Sequence, residues 1–134
     1  KGGYGHQYIC DLPNIKYLEN TPDIRKVYGQ SRIVLMPSKY ESYGRVAVEA
    51  MASGIPVIAH ATPGLKESLG EAGIFCDRDK PEDWVRAIKT LDDAKTYKEA
   101  SSLAVKRFAE IDAKTVQELK DFEEFLIKCI NRKA

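Results

Sequence analysis

Short unbroken apolar runs alternate along this chain with stretches whose apolar residues recur every three or four positions. Ile33-Val34-Leu35-Met36, Pro56-Val57-Ile58-Ala59 and Ile74-Phe75-Cys76 are of the first kind. They are too short for helices, and too uniformly apolar for strands with one wet face. Arg32 to Met36 therefore reads as a fully buried strand ended by Pro37, and Pro56 to Ala59 and Ile74 to Cys76 as two more. Asn14 to Leu18 fits a fourth strand near the start. Thr21-Pro22 supplies an N-cap and a first-turn proline for a helix running to about Gly29. Arg45 to Ser53 forms the next helix, closed by Gly54 at the C′ position. Thr62-Pro63-Gly64 turns into a short helix through Leu69, and Pro81 opens one that buries Trp84, Val85, Ile88 and Leu91. Strand, helix and strand in alternation predict an α/β fold, a parallel sheet with helices on both faces.

After Asp93 the strands stop and C-terminal helices follow. Two are predicted, about Ala94 to Ala109 and Ala113 to Arg132, with Asp112 as N-cap of the second. Val116, Leu119, Phe122, Leu126 and Ile130 form an apolar stripe at helical spacing. The acids Glu118, Asp121, Glu123 and Glu124 interrupt it too closely for a membrane-surface face, so the stripe is read as core packing. The chain thus divides into a loop or remnant of a preceding strand (1–12), a core (13–92) and C-terminal helices packing on that core (93–134).

Composition narrows the partners. At 134 residues the chain makes one domain with room for a real core. Its 21 basic and 20 acidic residues leave a net charge of +1, with no basic stripe to meet a phosphate backbone, which argues against nucleic acid. Cys10, Cys76 and Cys129 are odd in number and lack metal spacing, the pattern of reduced thiols in a cytoplasmic protein; Cys76, in an apolar strand, reads as core. No run approaches the roughly 18 apolar residues of a membrane helix, and the first residues show no signal-peptide pattern.

The chemistry concentrates in Glu41-Ser42-Tyr43-Gly44-Arg45-Val46-Ala47-Val48-Glu49, which falls where a parallel strand gives way to a helix. Open α/β sheets bind their ligands at that edge. Unpaired amides at a helix N-terminus hold anions, and carboxylates accept hydrogen bonds from sugar diols. With the helix starting near Gly44, Glu49 lies about 7.5 Å along the axis and its Cβ leans back toward the N-terminus. Glu49 then reaches a ribose whose phosphate rests on the amides of Tyr43, Gly44 and Arg45, while Glu41 approaches from the other side. A nucleotide sugar has the matching shape, an anion flanked by vicinal hydroxyls.

The same stretch resembles the donor half of the retaining glycosyltransferases of the GT-B fold, of the group 1 or family 4 type. Their motif runs proline-serine, a short spacer, two glutamates seven residues apart around an aromatic-glycine turn, and then A-M-A-x-G-x-P-V-I. Here Pro37-Ser38, Glu41-Ser42-Tyr43-Gly44 and Glu49-Ala50-Met51-Ala52-Ser53-Gly54-Ile55-Pro56-Val57-Ile58 match in order and spacing. Gly64-Leu65-Lys66-Glu67 and Ala72-Gly73-Ile74-Phe75-Cys76-Asp77 extend the resemblance, which covers roughly residues 13 to 91.

The resemblance implies that the chain is the Rossmann-like C-terminal half of a two-domain enzyme. That enzyme would transfer a hexose-type sugar from a nucleotide donor to an unidentified acceptor with retention and without metal or other cofactor. Glu41 would be the catalytic residue that orients the donor sugar. Ser42, Tyr43, Gly44, Arg45, Val46 and Glu49 would complete the substrate site. The partners implied are the nucleotide sugar and an N-terminal acceptor-binding domain, through which any peripheral membrane association would run. The glycine-rich turn and the Arg and Lys that clamp the diphosphate in this family precede the matched segment. The chain alone is therefore expected to bind nucleotide weakly and to transfer no sugar, with a short sheet edge left unpaired. Where the last helix of the family crosses onto the partner domain, this chain would leave part of its apolar stripe exposed, inviting dimers.

Other residues tempt sharper readings. Arg45 stands where the family usually has an apolar residue; a cation in the first turn opposes the helix dipole unless an anion sits beside it, which suits a phosphate-facing role. His60, at the carboxyl end of a strand, reads as a satisfied loop histidine or as a phosphate donor, and His6 as less than that. Glu67 reads as a partner for loop amides around the site, and Lys39 and Arg32 as solvated. Two further function classes stay open: a sugar-phosphate phosphorylase or epimerase on a related scaffold, which would depend on free phosphate and not on a nucleotide, and a non-catalytic nucleotide- or sugar-phosphate-binding or interaction module. A Rossmann oxidoreductase is disfavoured, because no G-x-G-x-x-G follows a strand.

Overall fold

The computed structural model describes residues 12–18 and 20–131. Its elements in chain order are α1 (Ile24–Gln30), β1 (Val34–Met36), α2 (Arg45–Ala52), β2 (Val57–Ala59), α3 (Pro63–Leu69), a 3-10 turn (Gly70–Ala72), β3 (Gly73–Phe75), α4 (Pro81–Thr90) and α5 (Ala94–Asn131). The strands lie in the order β1-β2-β3 and all pair in parallel, with Leu35, Ile58 and Ile74 in one row across the sheet. Alternation along β2 divides the core. Val57 and Ala59 point into a cluster with Ala47, Ala50, Met51, Leu65, Leu69 and Ala104. Ile58 points the other way, into a cluster with Cys76, Trp84 and Leu91. Helices α2, α3 and the middle of α5 thus cover one face, and α4 with the first turns of α5 the other, the α/β architecture with helices on both faces that the pattern predicts.

The expected punctuation is present. Thr62 caps α3 by accepting the Leu65 amide at 3.2 Å, and Pro63 occupies the first turn. Gly54 follows α2 in the left-handed region at φ 69°, which ends the helix. Trp84 is buried on α4 and donates its indole N–H to the Asp77 carbonyl at 2.8 Å.

Several expectations are corrected. Asn14 to Leu18 is not a strand: residues 12–14 form a turn, with Ile15 N–H donating to the Leu12 carbonyl, and 15–18 are exposed and irregular. A five-residue run with no neighbouring strand has no ladder to join. The first helix starts at Ile24 and not at Pro22, because Thr21 Oγ1 accepts the Asp23 amide at 3.2 Å ahead of it. The strand around Leu35 is not fully buried. β1 is an edge strand among the described residues, the helical cover on that face packs over Ile58, and Leu35 is left 47% exposed. Val85 is exposed on α4 as well.

The largest departure is α5. One helix of 38 residues, about 57 Å long at 1.5 Å per residue, replaces the two expected. Glu110-Ile111-Asp112 contains neither Gly nor Pro, and an interior Asp costs only about 0.7 kcal/mol relative to Ala, too little to break a helix. The capping aspartate is Asp93, whose Oδ2 accepts the Thr96 amide at 2.8 Å and the Thr96 hydroxyl at 2.7 Å. Thr96 accordingly holds the Asp93 carboxyl below its ordinary pKa. The first half of α5 packs on the core through Ala104, Phe108 and Ile111; from Asp112 to Asn131 every residue is exposed. Val116, Leu119, Phe122, Leu126 and Ile130 are therefore not core, because the helix has run past the end of the sheet layer they would pack against. No helix among the described residues is long and apolar enough to cross a membrane. The expected loop or strand remnant at 1–12, with His6 and Cys10, lies outside the described residues except for Leu12.

Candidate functional site

The turn into α2 starts at Met36, the last residue of β1, and crosses Pro37 to Tyr43 without regular structure. Gly44 enters the helix at φ 83°, a conformation that disfavours any side chain, and its own missing side chain leaves the helix without a side-chain cap. Among the described residues the amides of Gly44, Arg45 and Val46 meet no acceptor; the first helical bonds run from Ala47 and Val48 to the Gly44 carbonyl, at 2.9 and 3.2 Å. A row of open donors at the positive end of a helix is an anion seat.

α3 holds this turn from below. A Cβ on Gly44 would fall 2.5 Å from Leu65 Cδ2, and the first turn of α3 presses directly on the Glu41–Ser42 backbone. Glu41 lies beside Gly44, and its Oε1 accepts the Ser42 amide at 3.1 Å. It lines an open cavity of about 490 Å³ together with Lys39, Tyr40, Ser42, Thr62 and Pro63. Lys39, expected to be merely solvated, brings a cation to that rim, its Nζ 5.4 Å above the Tyr40 ring.

Glu49 sits one turn further along α2. Its Oε2 accepts a hydrogen bond of 3.0 Å from the Tyr28 hydroxyl on α1, and its Oε1 lies 3.9 Å from the Arg45 guanidinium. Arg45 is almost fully exposed, so that pair is weak, and its charge stays near the first turn. The structure thus gathers Glu41, Ser42 and Gly44 at the turn and holds Glu49 separately against Tyr28. Tyr43 and Val46 are exposed, and Tyr43 borders a second cavity of about 330 Å³ with Glu67, Arg107, Glu110 and Lys114.

The remaining candidates resolve into structural ties. His60 Nδ1 lies 3.2 Å from the Arg78 amide and 3.4 Å from the Cys76 carbonyl, which makes His60 a brace between the loops after β2 and β3. Glu67 offers its backbone carbonyl to Arg107 Nη2 at 2.7 Å, while Arg107 Nε reaches the Ser68 carbonyl at 3.1 Å. That guanidinium satisfies the end of α3. Arg32 is exposed, as expected, but it is also tied down: it donates to the Leu91 carbonyl at 2.9 Å and stacks 4.2 Å above the Tyr97 ring. Sequence reasoning missed Tyr28 altogether. Its signal was an aromatic at a helical position beside Ile24 and Val27, which any core tyrosine shows. Among the described residues no group of three His, Cys, Asp or Glu side chains gathers as a metal site.

Comparison with known proteins places the chain in a family. Residues 4–93 match the family described as glycosyl transferases group 1. A D-inositol 3-phosphate glycosyltransferase from Corynebacterium kroppenstedtii is 42% identical over 85 residues, 60% of this chain and 19% of that protein. The protein of that name from Corynebacterium diphtheriae is 36% identical over 100 residues, 71% of this chain and 23% of its own length. The chain spans about a fifth of the curated relatives it matches. Among solved structures, sucrose-phosphate synthase from Thermosynechococcus elongatus superposes with a TM-score of 0.66 at 26% identity, over 77% of this chain and 27% of that one. This chain belongs to the group 1 glycosyl transferases.

Proposed function

We propose that the chain is the nucleotide-sugar-binding half of a two-domain, retaining glycosyltransferase that works without a metal and transfers a hexose-type sugar to an acceptor held by the other domain. The observation that carries this reading is the open first turn of α2, three unpaired amides between two carboxylates. In this reading the amides of Gly44, Arg45 and Val46 take the diphosphate, with the charge of Arg45 beside them. Glu49 accepts hydrogen bonds from the ribose hydroxyls. Glu41, at the mouth of the 490 Å³ cavity, orients the donor sugar. Ser42 and Tyr43 complete the turn.

Bond cleavage at the anomeric carbon leaves negative charge on the departing diphosphate and positive charge on an oxocarbenium-like sugar. Donors already fixed at the helix terminus stabilise the first without reorganising. The carboxylate of Glu41 faces the second and need not act as a base. Cations and acceptor are supplied by the rest of the enzyme. Ligand-observed NMR with UDP-, GDP- and ADP-sugars tests the reading. One nucleotide class should show saturation transfer that Glu49→Ala diminishes, and no transfer from any of them would contradict the proposal.

A further inference from the structure

Tyr28 is the single buried residue of α1, and two things hold it in place. Its ring packs in the cluster of Met51, Val57 and Leu65 beneath the sheet, and its hydroxyl emerges from that cluster to meet Glu49 Oε2 at 3.0 Å. Among the described residues Glu49 has no comparable second partner. Its other oxygen faces the exposed guanidinium of Arg45 at 3.9 Å, beyond hydrogen-bonding distance. One carboxylate oxygen is thus tied to the core and the other is left open beside the helix terminus.

We infer that Tyr28 is a positioning residue for donor binding: its hydroxyl fixes the rotamer of Glu49 so that Oε1 is presented to the vicinal hydroxyls of a ribose. The inference rests on the reading of Glu49 as the ribose partner and adds what makes that partner competent. A glutamate side chain free in solvent samples many rotamers, and freezing it on binding costs conformational entropy. A rigid aromatic anchored in the core removes most of that cost before the ligand arrives, and it acts from an element that touches no ligand itself. The direction of the bond matters as well. A phenol that donates to the carboxylate keeps it an acceptor with its remaining lone pairs aimed outward, which is what a diol requires. Burial and the Glu49 carboxylate together push the Tyr28 phenol up to about 12, so the donor stays protonated through the physiological range.

The test is a double-mutant cycle in the full chain with Tyr28→Phe, Glu49→Gln and the pair. Dissociation constants are measured by NMR titration with UDP-glucose, GDP-mannose and ADP-glucose, with thermal unfolding run alongside. Phenylalanine keeps the ring in the core, so the fold should survive. Tyr28→Phe should weaken binding about 3–10-fold, Glu49→Gln more, and the pair no more than Glu49→Gln alone, because the hydroxyl acts through that carboxylate. The 13Cζ signal of Tyr28 in tyrosine-labelled chain should also move on adding the nucleotide sugar, and a purely structural tyrosine would not respond. Unchanged affinity in Tyr28→Phe beside a weakened Glu49→Gln overturns the positioning role alone, as does strict additivity in the pair. An unchanged Glu49→Gln, or no binding by any of the three sugars, overturns the ribose assignment itself and the inference with it. If Tyr28→Phe does not fold, the ligand response of the Tyr28 signal decides.

Discussion

Gly64, in the first turn of α3, lies so close to Ser42 that a Cβ there would sit 2.2 Å from the Ser42 carbonyl oxygen and 2.7 Å from that of Glu41. The backbone of the candidate site is thus clamped from below by a position where only hydrogen fits. Gly64→Ala should cost about 1–3 kcal/mol by overpacking, and because backbone must move, the site should shift with it. Denaturant unfolding gives the first quantity, and amide shifts of Glu41 to Arg45 in an NMR spectrum give the second. A neutral, spectrally silent Gly64→Ala would show that the turn is not clamped.

Arg107 joins α5 to the end of α3 by two bonds to the carbonyls of Glu67 and Ser68. Charge-assisted bonds of this kind are worth about 1.5–3 kcal/mol when one partner is lost. Arg107→Ala should destabilise the chain by roughly that amount, and Arg107→Lys should recover less than half, since an ammonium lacks the planar fork. Chemical denaturation of the two variants checks both statements.

Tyr28 supplies a test at alkaline pH. Its folded pKa of about 12 lies above the ordinary tyrosine value of about 10, with burial as the larger cause and Glu49 next. A raised folded pKa stabilises the fold fully below the unfolded value and loses that contribution as pH climbs through the folded one. Stability should therefore fall between about pH 10 and pH 12. Tyrosine-selective 13C NMR should find the Tyr28 phenol titrating late. Glu49→Gln should bring it down without restoring the ordinary value, because burial remains.

Residues 112–131 of α5 are all exposed, and none of them joins the core. Ending the chain after Ala113 should leave the melting temperature within about 2–3 °C of the intact chain, as expected for a segment outside the cooperative unit. A drop of 8 °C or more in differential scanning calorimetry would mean that the exposed stripe is covered in solution. Val116, Leu119, Phe122 and Ile130 make that outcome worth measuring at several concentrations.

How far the sequence could be read depended on the distance over which each feature is decided. Helix α2, its stop at Gly54, the Thr62-Pro63 start of α3 and the Pro81 start of α4 follow from local capping chemistry, and each was legible. The parallel sheet followed from alternation. What was not legible depends on partners far along the chain. Leu35 looks like core in a run of four apolar residues, and only its place on an edge strand bares it. Arg32 is exposed as expected, but its tie to Tyr97 of α5, 65 residues later, is not legible in its surroundings. Asp112 has the chemistry of an N-cap, but a helix already propagating needs a breaker to stop, and none is present. The motif itself was plain, whereas the Tyr28 hydroxyl that holds Glu49 joins residues 21 apart on two different helices, a contact that no periodicity encodes.

The account stands most directly on the affinity of this chain for a nucleotide sugar, measured by isothermal titration calorimetry with UDP-, GDP- and ADP-sugars and repeated on Glu49→Ala. One nucleotide class should bind in the high micromolar to millimolar range, the strength a few hydrogen bonds without a cationic clamp provide. Glu49→Ala should weaken it by roughly 1.5–3 kcal/mol, the usual worth of charge-assisted bonds to a diol. Binding indifferent to Glu49→Ala, or absent for all three classes, would contradict the assignment of the site. A submicromolar affinity would contradict the reading of this chain as one half of a two-domain enzyme.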